Sequence, residues 1–454
     1  MFKKFTNGCV KLVQRFLPDA FIFCIILTIV VFVADMIVTG MNPIQVANTW
    51  GNGVWSLLGF SMQMALVLVL GTALANAPAV KRLIVRLASI PKTPIKAVIF
   101  VTVISTICCW LNWGFGLVVG AILAKEVAKR VEGVDYRLII AAAYSGFVVW
   151  HAGVSGSIPL TLATYNDSVN KATAGIVTKG IPTSQTIFSV WNIVMVLAVL
   201  VVITFINVKM HPDKKDVITV DAKLLADEAE EQFPAPTTPA EKMENSCILS
   251  YVTAALGGCF LIYHFVSTGS FNLSLDLVNM IFLVLGLIFH KTPISYVRAI
   301  TDAAKSAGGI ILQFPFYAGI MGMMTGMGPH GVSLAGAISN VFVHISTVRT
   351  FPLFTFLSAG IVNFFVPSGG GQWAVQAPIM MPAGAKLGVD PSVTGMAISW
   401  GDAWTNMLQP FWALPALGIA GLGARDIMGY CAVILLASGA VVCLGFGFLV
   451  PLFF

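Results

Sequence analysis

Long apolar runs alternate along this chain with short polar breaks, and their lengths predict helices that cross a membrane. Runs able to span about 30 Å of hydrocarbon, roughly 20 residues each, lie at 21–38 and near 55–77, 137–163, 184–208, 247–268, 273–290, 307–328, 393–422 and 428–452. They predict nine spans. Two further apolar stretches, 97–131 and 352–386, are each cut by a glycine-rich break: Asn112-Trp113-Gly114-Phe115-Gly116 in the first, Pro367-Ser368-Gly369-Gly370-Gly371 in the second. Arms of about 15 residues rise only about 22 Å at 1.5 Å per residue, too short to cross. They read as re-entrant hairpins with tips near mid-membrane.

The spans 137–163 and 393–422 are polar at their centres. The first contains Tyr144-Ser145-Gly146 and His151-Ala152-Gly153-Val154-Ser155-Gly156-Ser157-Ile158-Pro159, with Pro159 suited to open a second half-helix. The second reads Ser399-Trp400-Gly401-Asp402-Ala403-Trp404-Thr405-Asn406-Met407-Leu408-Gln409-Pro410. Both predict broken helices. Freed backbone groups cannot face lipid, so such breaks line an enclosed or watery cavity. Half-helix N-termini there favour an anion, and released carbonyls suit a cation.

The stretch Lys209 to Ser246 is polar, rich in charge and proline, and without apolar periodicity. It divides the chain into a first half, 1–208, and a second, 247–454, with the linker 209–246 between them. The halves repeat in collinear order. Asn42-Pro43 and Gln63 recur as Thr292-Pro293 and Gln313 at an offset of 250, while Gly114, Gly116, Gly133-Val134-Asp135 and Gly146 recur as Gly369, Gly371, Gly388-Val389-Asp390 and Gly401 at 255.

Charge then orients the repeats. Nine basic residues flank the first hairpin (Lys81, Arg82, Arg86, Lys92, Lys96, Lys125, Lys129, Arg130, Arg137), against only Arg349 and Lys386 around the second. By the positive-inside rule one motif occurs in two orientations, an inverted-topology repeat. Threading nine spans from a cytoplasmic N-terminus, marked by Lys3, Lys4, Lys11 and Arg15, keeps the linker cytoplasmic and puts the C-terminus outside. The N-terminal run shows no small-residue cleavage site and reads as a retained first span.

Composition narrows the classes further. The chain is 57% hydrophobic and 10% charged over 454 residues, with mean hydropathy +0.88, whereas soluble domains carry about 25% charged residues. A soluble enzyme is excluded. The 8 cysteines are sparse and mostly inside apolar runs, so they read as packing residues rather than a disulfide framework. The formal charge of +6 is not gathered into a patch for nucleic acid. No H-E-x-x-H, G-x-S-x-G or P-loop string is present.

The candidate site residues follow from this placement. For substrate they are Asn112, Gly114 and Gly116 at the first tip, His151, Ser155 and Ser157 at the first break, Ser368, Gly369, Gly370 and Gln372 at the second tip, and Thr405 and Asn406 at the second break. For a coupling ion they are Asp402, Asn406 and Gly371, Asp402 being an ionisable group at membrane depth. No catalytic residue, metal centre or cofactor is expected beyond H+ or Na+ as the coupling ion. Trp113, Trp373 and Trp404 are candidate walls for an alkyl tail, and Asp35 and Asp276, near span ends, are expected at the interface.

The strings Pro367-Ser368-Gly369-Gly370-Gly371-Gln372-Trp373-Ala374-Val375-Gln376-Ala377-Pro378 and Gly401-Asp402-Ala403-Trp404-Thr405-Asn406-Met407-Leu408-Gln409-Pro410-Phe411-Trp412, with Trp150-His151-Ala152-Gly153, resemble the short-chain fatty acid transporter family, the acetoacetate and butyrate permeases. The resemblance implies an all-helical polytopic protein of the ion transporter superfamily, a homodimer in the inner membrane with scaffold and mobile transport domains that alternate access in an elevator manner. It implies ion-coupled import of a short-chain monocarboxylate, and related branches hold a carboxylate and a cation at hydroxyl- and amide-bearing hairpin tips. Here Trp113 stands where such a tip has a hydroxyl. Other readings remain at this level. A dicarboxylate or peptide-like carboxylate carrier is the nearest, a channel the next, and an intramembrane hydrolase using His151 with Ser155 the most distant.

Overall fold

The computed structural model describes residues 20–164, 166–219, 237–269, 273–363, 366 and 368–453. The basic N-terminal residues, Pro367 of the second break and linker residues 220–236 lie outside that set. Among the described residues all regular structure is helical. In chain order the first half contains α1 (Ala20–Thr39), α2 (Pro43–Gly53), α3 (Leu58–Ala75), α4 (Pro78–Leu87), α5 (Pro94–Leu111), α6 (Trp113–Ala128), α7 (Tyr136–Ser145), α8 (Ser157–Ala163), α9 (Asp167–Ala172) and α10 (Val190–Lys209). After α11 (Pro239–Glu244), the second half holds α12 (Cys247–Thr268), α13 (Leu275–His290), α14 (Pro293–Ala304), α15 (Gly308–Thr325), α16 (Leu334–Ile345), α17 (Phe351–Asn363), α18 (Gly369–Leu387), α19 (Pro391–Thr405), α20 (Pro410–Ala420) and α21 (Ala424–Leu444).

Equivalent residues start equivalent helices in the two halves. Asn42 caps α2 and Thr292 caps α14, each followed by proline at the first helical position; Asn112 caps α6 as Ser368 caps α18; Asp135 caps α7 as Asp390 caps α19. A side-chain acceptor there satisfies an amide that the helix itself leaves open. The turn before each Asp is also shared, with Gly133 at φ +77° and Gly388 at φ +82°, a left-handed backbone that glycine adopts without a Cβ penalty. Packing repeats reciprocally: α2 lies on α15, and α14 lies on α3.

Where the hairpins were expected the chain forms pairs of adjacent helices, α5 with α6 and α17 with α18. Their arms are unequal, at 18 and 16 residues in the first and 13 and 19 in the second, rather than about 15 each. Seven helices among the described residues are long and apolar enough to cross a bilayer: α3, α5, Tyr136–Ala163, α10, α12, α15 and Ala424–Leu452. Three of the nine expected spans are not among them: the run 21–38 counts only over Cys24–Thr39 among the described residues, the run 273–290 yields only the 16-residue α13, and the run 393–422 divides into α19, a short 3-10 turn and α20; conversely α5, expected to be too short, is an apolar helix of 18 residues. The short helices α2, α4, α14 and α16 were not legible as apolar runs.

The core is continuous across the halves, with α7, α8 and α19 among the most enclosed elements. By contrast α12 buries only Ser250 and Ala254, and its outer face carries Leu256, Ile262, Tyr263 and Val266. Such an apolar exterior suits a lipid environment. Cys24, Cys109 and Cys431 are buried and unpaired, as packing residues; Cys247 and Cys259 are free and exposed. Asp276 is exposed and accepts from Gln63 Nε2 at 2.8 Å. Asp35, one turn before the end of α1, is fully buried, on a helix that packs against α15 and α16.

Candidate functional site

The two polar breaks meet. After α7 the chain tightens into a 3-10 turn, Gly146–Ala152, then turns through 153–156 before α8 begins; after α19 it does the same over Asn406–Leu408 before α20. The first turn packs against α19, which brings residues about 250 positions apart into contact. His151 Nδ1 lies 2.7 Å from Asp402 Oδ2, with both side chains buried. The backbone N–H of Ile158, in the first turn of α8, donates to His151 Nε2 at 3.0 Å. Because Nε2 accepts, the proton of a neutral imidazole is on Nδ1 and is donated to the Asp402 carboxylate. Asp402 Oδ1 has no partner among the described residues.

Amides and hydroxyls surround this pair. Trp150 Nε1 donates to Asn406 Oδ1 (2.8 Å), Tyr144 Oη donates to the Asn406 carbonyl (2.8 Å), and Asn406 Nδ2 donates to Gln409 Oε1 (3.1 Å). Asn363, on α17, donates through Nδ2 to the Asp402 carbonyl (2.7 Å) and to Thr405 Oγ1 (2.8 Å); that hydroxyl donates on to the Gly360 carbonyl (3.0 Å). Asn192, on α10, donates to the Ala152 carbonyl at 3.1 Å and accepts from Trp400 Nε1 at 2.9 Å. Carbonyls freed by the breaks thus find side-chain donors.

The hairpin tips close over the same region. A Cβ on Gly369 would lie 2.6 Å from His151 Cε1, so only glycine lets the second tip rest on this imidazole. Ser368 caps α18 by accepting from Gly371 N at 3.4 Å, and Gln372 Nε2 donates to the Ala359 carbonyl (2.9 Å) and Gln376 Oε1 (2.8 Å), leaving its own Oε1 buried without a partner. At the first tip Asn112 Oδ1 accepts from Phe115 N (2.9 Å), and Ser155 Oγ accepts from Trp113 N (3.0 Å), tying that tip to the first break. The expected residues Gly114 and Gly116 sit against Leu68 and Cys109, and Gly370 and Gly371 against Phe314 and Tyr317, positions of close helix approach. Ser157 is buried in the first turn of α8.

Aromatic rings wall one side. Phe147 stacks on Trp150 with centroids 5.5 Å apart, Trp150 on His151 at 4.1 Å, and Trp113 meets Trp412 edge-on at 5.3 Å. A cavity of about 190 Å³ opens between α3, α8 and the start of α18, lined by Phe60, Gln63, Thr161, Thr164, Met321 and Trp373 among others. Trp404 instead packs on Phe356 and donates to the Leu435 carbonyl, away from the His151 ring system. Sequence reasoning missed Asn363, Asn192, Gln376 and Gln409. Asn363 and Asn192 could have been found as lone amides within apolar runs, which are costly at membrane depth unless satisfied.

The arrangement holds no nucleophile against the imidazole. Both ring nitrogens of His151 are engaged elsewhere, and the Ser155 hydroxyl accepts from Trp113 N. A model of the short chain fatty acid transporters matches residues 1–449. The chain belongs to the short chain fatty acid transporter family. It is 46% identical over 447 residues, 98% of this chain and 99% of its relative, to an Escherichia coli (strain K12) protein provisionally named a short-chain fatty acid transporter. A Haemophilus influenzae protein with the same provisional name is 44% identical over 457 residues, 99% of this chain and 100% of the relative. In fold this family member is similar to the YdaH transporter of Alcanivorax borkumensis, whose crystal structure is described as having an unusual topology. The TM-score is 0.61 at 15% identity, covering 96% of this chain and 98% of that one. The chain is therefore a multi-pass membrane protein of a transporter family.

Proposed function

We propose that this protein is an ion-coupled secondary transporter that imports short-chain monocarboxylates such as acetoacetate or butyrate. The observation that carries the reading is the buried His151–Asp402 contact at the crossing of two interrupted helices, within reach of both hairpin tips. The acid's carboxylate would sit among hydroxyls, amides and open helix N-termini, its alkyl tail against the Trp113, Phe147, Trp150 and Trp412 rings. The cavity beside Trp373 is a natural approach to it. Asp402 has an unused oxygen for a coupling H+ or Na+, and His151 holds the other oxygen in place.

The packing pattern suits alternating access. The second hairpin packs on α19, and the first hairpin packs on the 3-10 turn after α7, so tips and breaks form one unit that can move against the remaining helices as an elevator. The two halves would lie inverted in the inner membrane, re-entrant hairpins included, with the linker and N-terminus cytoplasmic, the C-terminus outside, and two copies forming a homodimer. The deciding experiment is counterflow in proteoliposomes holding only this protein, with labelled butyrate, acetoacetate and acetate, each with and without Na+ and with and without a pH gradient. Saturable exchange of monocarboxylates supports the reading. Absence of exchange for every acid, or flux that does not saturate, would sink it.

A further inference from the structure

A second carboxyl group lies in the membrane part, unused by the transport reading. Asp35, one turn before the end of α1, is fully buried, and neither Oδ1 nor Oδ2 has a hydrogen-bond partner among the described residues. The adjacent hydroxyl does not serve it: Thr39 Oγ1 donates to the Asp35 backbone carbonyl at 2.6 Å and accepts from Met41 N at 3.2 Å. The helices packed chiefly against α1 are α2, α15 and α16. None of the four carries a lysine or arginine. Their other titratable groups are Cys24 on α1, Tyr317 on α15 and His344 on α16. Cys24 is about three turns earlier on α1, the Tyr317 hydroxyl donates to Gln313 Oε1 at 3.3 Å, and the exposed His344 pairs through Nδ1 with the Asn340 carbonyl at 2.6 Å. The loop between α15 and α16 adds exposed His330, whose ring lies 3.5 Å from where a Cβ on Gly40 would stand.

Asp35 thus has no counter-charge on these helices, among the described residues. A hard metal cation needs several oxygen ligands, and on these helices the only other buried oxygen without a partner among the described residues is the hydroxyl of Ser339, on α16. A proton needs one oxygen. An isolated carboxylate in such surroundings is too costly to keep unless it takes up a proton or water reaches it. Water has a route nearby: an opening of about 390 Å³ lined by Met41, Gln45, Asn48, Thr49, Gly328 and Pro329 lies at the end of α1.

We propose that Asp35 is a proton-binding site of the membrane domain, separate from the His151–Asp402 pair and reached through the opening beside Met41 and Pro329. Releasing the proton leaves a charge that must meet water, so α1 and α16 must part or water must advance between them. Because α16 leads through five residues, 346–350, into the first arm of the second hairpin, proton occupancy at Asp35 biases the position of that hairpin.

The test is pH-titrated infrared difference spectroscopy on the full chain in lipid nanodiscs, which requires no transported substrate and so stands apart from the transport reading. The expected result is a carbonyl band of a protonated carboxylic acid that rises and falls with pH, is lost in Asp35→Asn, survives in Asp402→Asn, and moves in frequency or midpoint in Asp35→Glu. Spectra of Asp35→Asn that keep the whole titrating band would overturn the proposal. If Asp35→Asn does not fold, an Asp35→Glu titration indistinguishable from wild type overturns it equally.

Discussion

At the residue scale the site is built on charge placed where it is expensive. Asp402 and His151 were legible as candidates because polar groups inside an apolar run stand out, but their pairing was not, since it depends on how two breaks 251 residues apart cross. Replacing Asp402 by Asn keeps an oxygen to accept the His151 Nδ1 proton and removes the charge a coupling ion requires. Asp402→Asn should therefore abolish concentrative uptake while sparing exchange, at unchanged membrane expression; accumulation equal to wild type would reduce Asp402 to a structural role. Gly401 makes a separate point. A Cβ there would stand 2.3 Å from the Phe356 carbonyl oxygen, a rigid backbone atom where α17 crosses α19. Gly401→Ala should cost roughly 1–3 kcal/mol through overpacking, read as a lower thermal midpoint in detergent with uptake falling in parallel. Asp35 was legible as lying near a span end, but that place does not reveal which neighbours will cover it.

At the scale of elements, glycine clusters and proline marked where the chain turns between paired helices and where two helices are interrupted, and the structure has both interruptions and both helix pairs. The sequence did not foretell α2, α4, α14 or α16, although Asn42-Pro43 and Thr292-Pro293 are helix-start signals, because helices of 10 to 12 residues, whether mixed in polarity like the first three or apolar like α16, leave no long apolar run. The junction of first hairpin and first broken helix has a device of its own. Asp135 Oδ1 accepts from Leu138 N and Oδ2 from Ile218 N, both at 2.9 Å, while Tyr136 N donates to the Ile218 carbonyl at 2.8 Å. The start of the linker is thereby fastened to α7. Asp135→Ala removes a helix cap worth about 1 kcal/mol and the linker bond with it. The expected outcome is faster proteolysis near Ile218 along with a small loss of thermal stability. A cleavage rate matching wild type would mean that the remaining Tyr136 contact alone holds the strap.

At the scale of the whole molecule, orientation and substrate charge are the two inferences that no single contact decides. Lys92 and Arg349 are exposed and begin equivalent hairpins, yet basic residues crowd only the first. Single cysteines placed at 92 and 349, in a background free of the exposed Cys247 and Cys259, should label oppositely with an impermeant maleimide in intact cells; identical labelling would remove the inverted arrangement. Substrate charge follows from what the enclosed segments lack. Residues 112–116, 144–159, 367–372 and 399–410 hold no lysine or arginine, and His151 Nε2 is occupied by an amide donor. One carboxylate can be held by hydroxyls, helix N-termini and a co-bound cation, each N-terminal dipole adding about 0.3–1 kcal/mol. A second carboxylate finds no lysine or arginine in these segments. Desolvating it unpaired costs several kcal/mol, which at 1.4 kcal/mol per decade is about a hundredfold or more in affinity. Butyrate and acetoacetate should then compete for uptake where succinate does not, and competition should strengthen from acetate to butyrate by up to about 0.8 kcal/mol per methylene buried against the tryptophan wall. Succinate inhibiting as strongly as butyrate at neutral pH, in proteoliposomes holding only this protein, would replace the monocarboxylate reading with a dicarboxylate one.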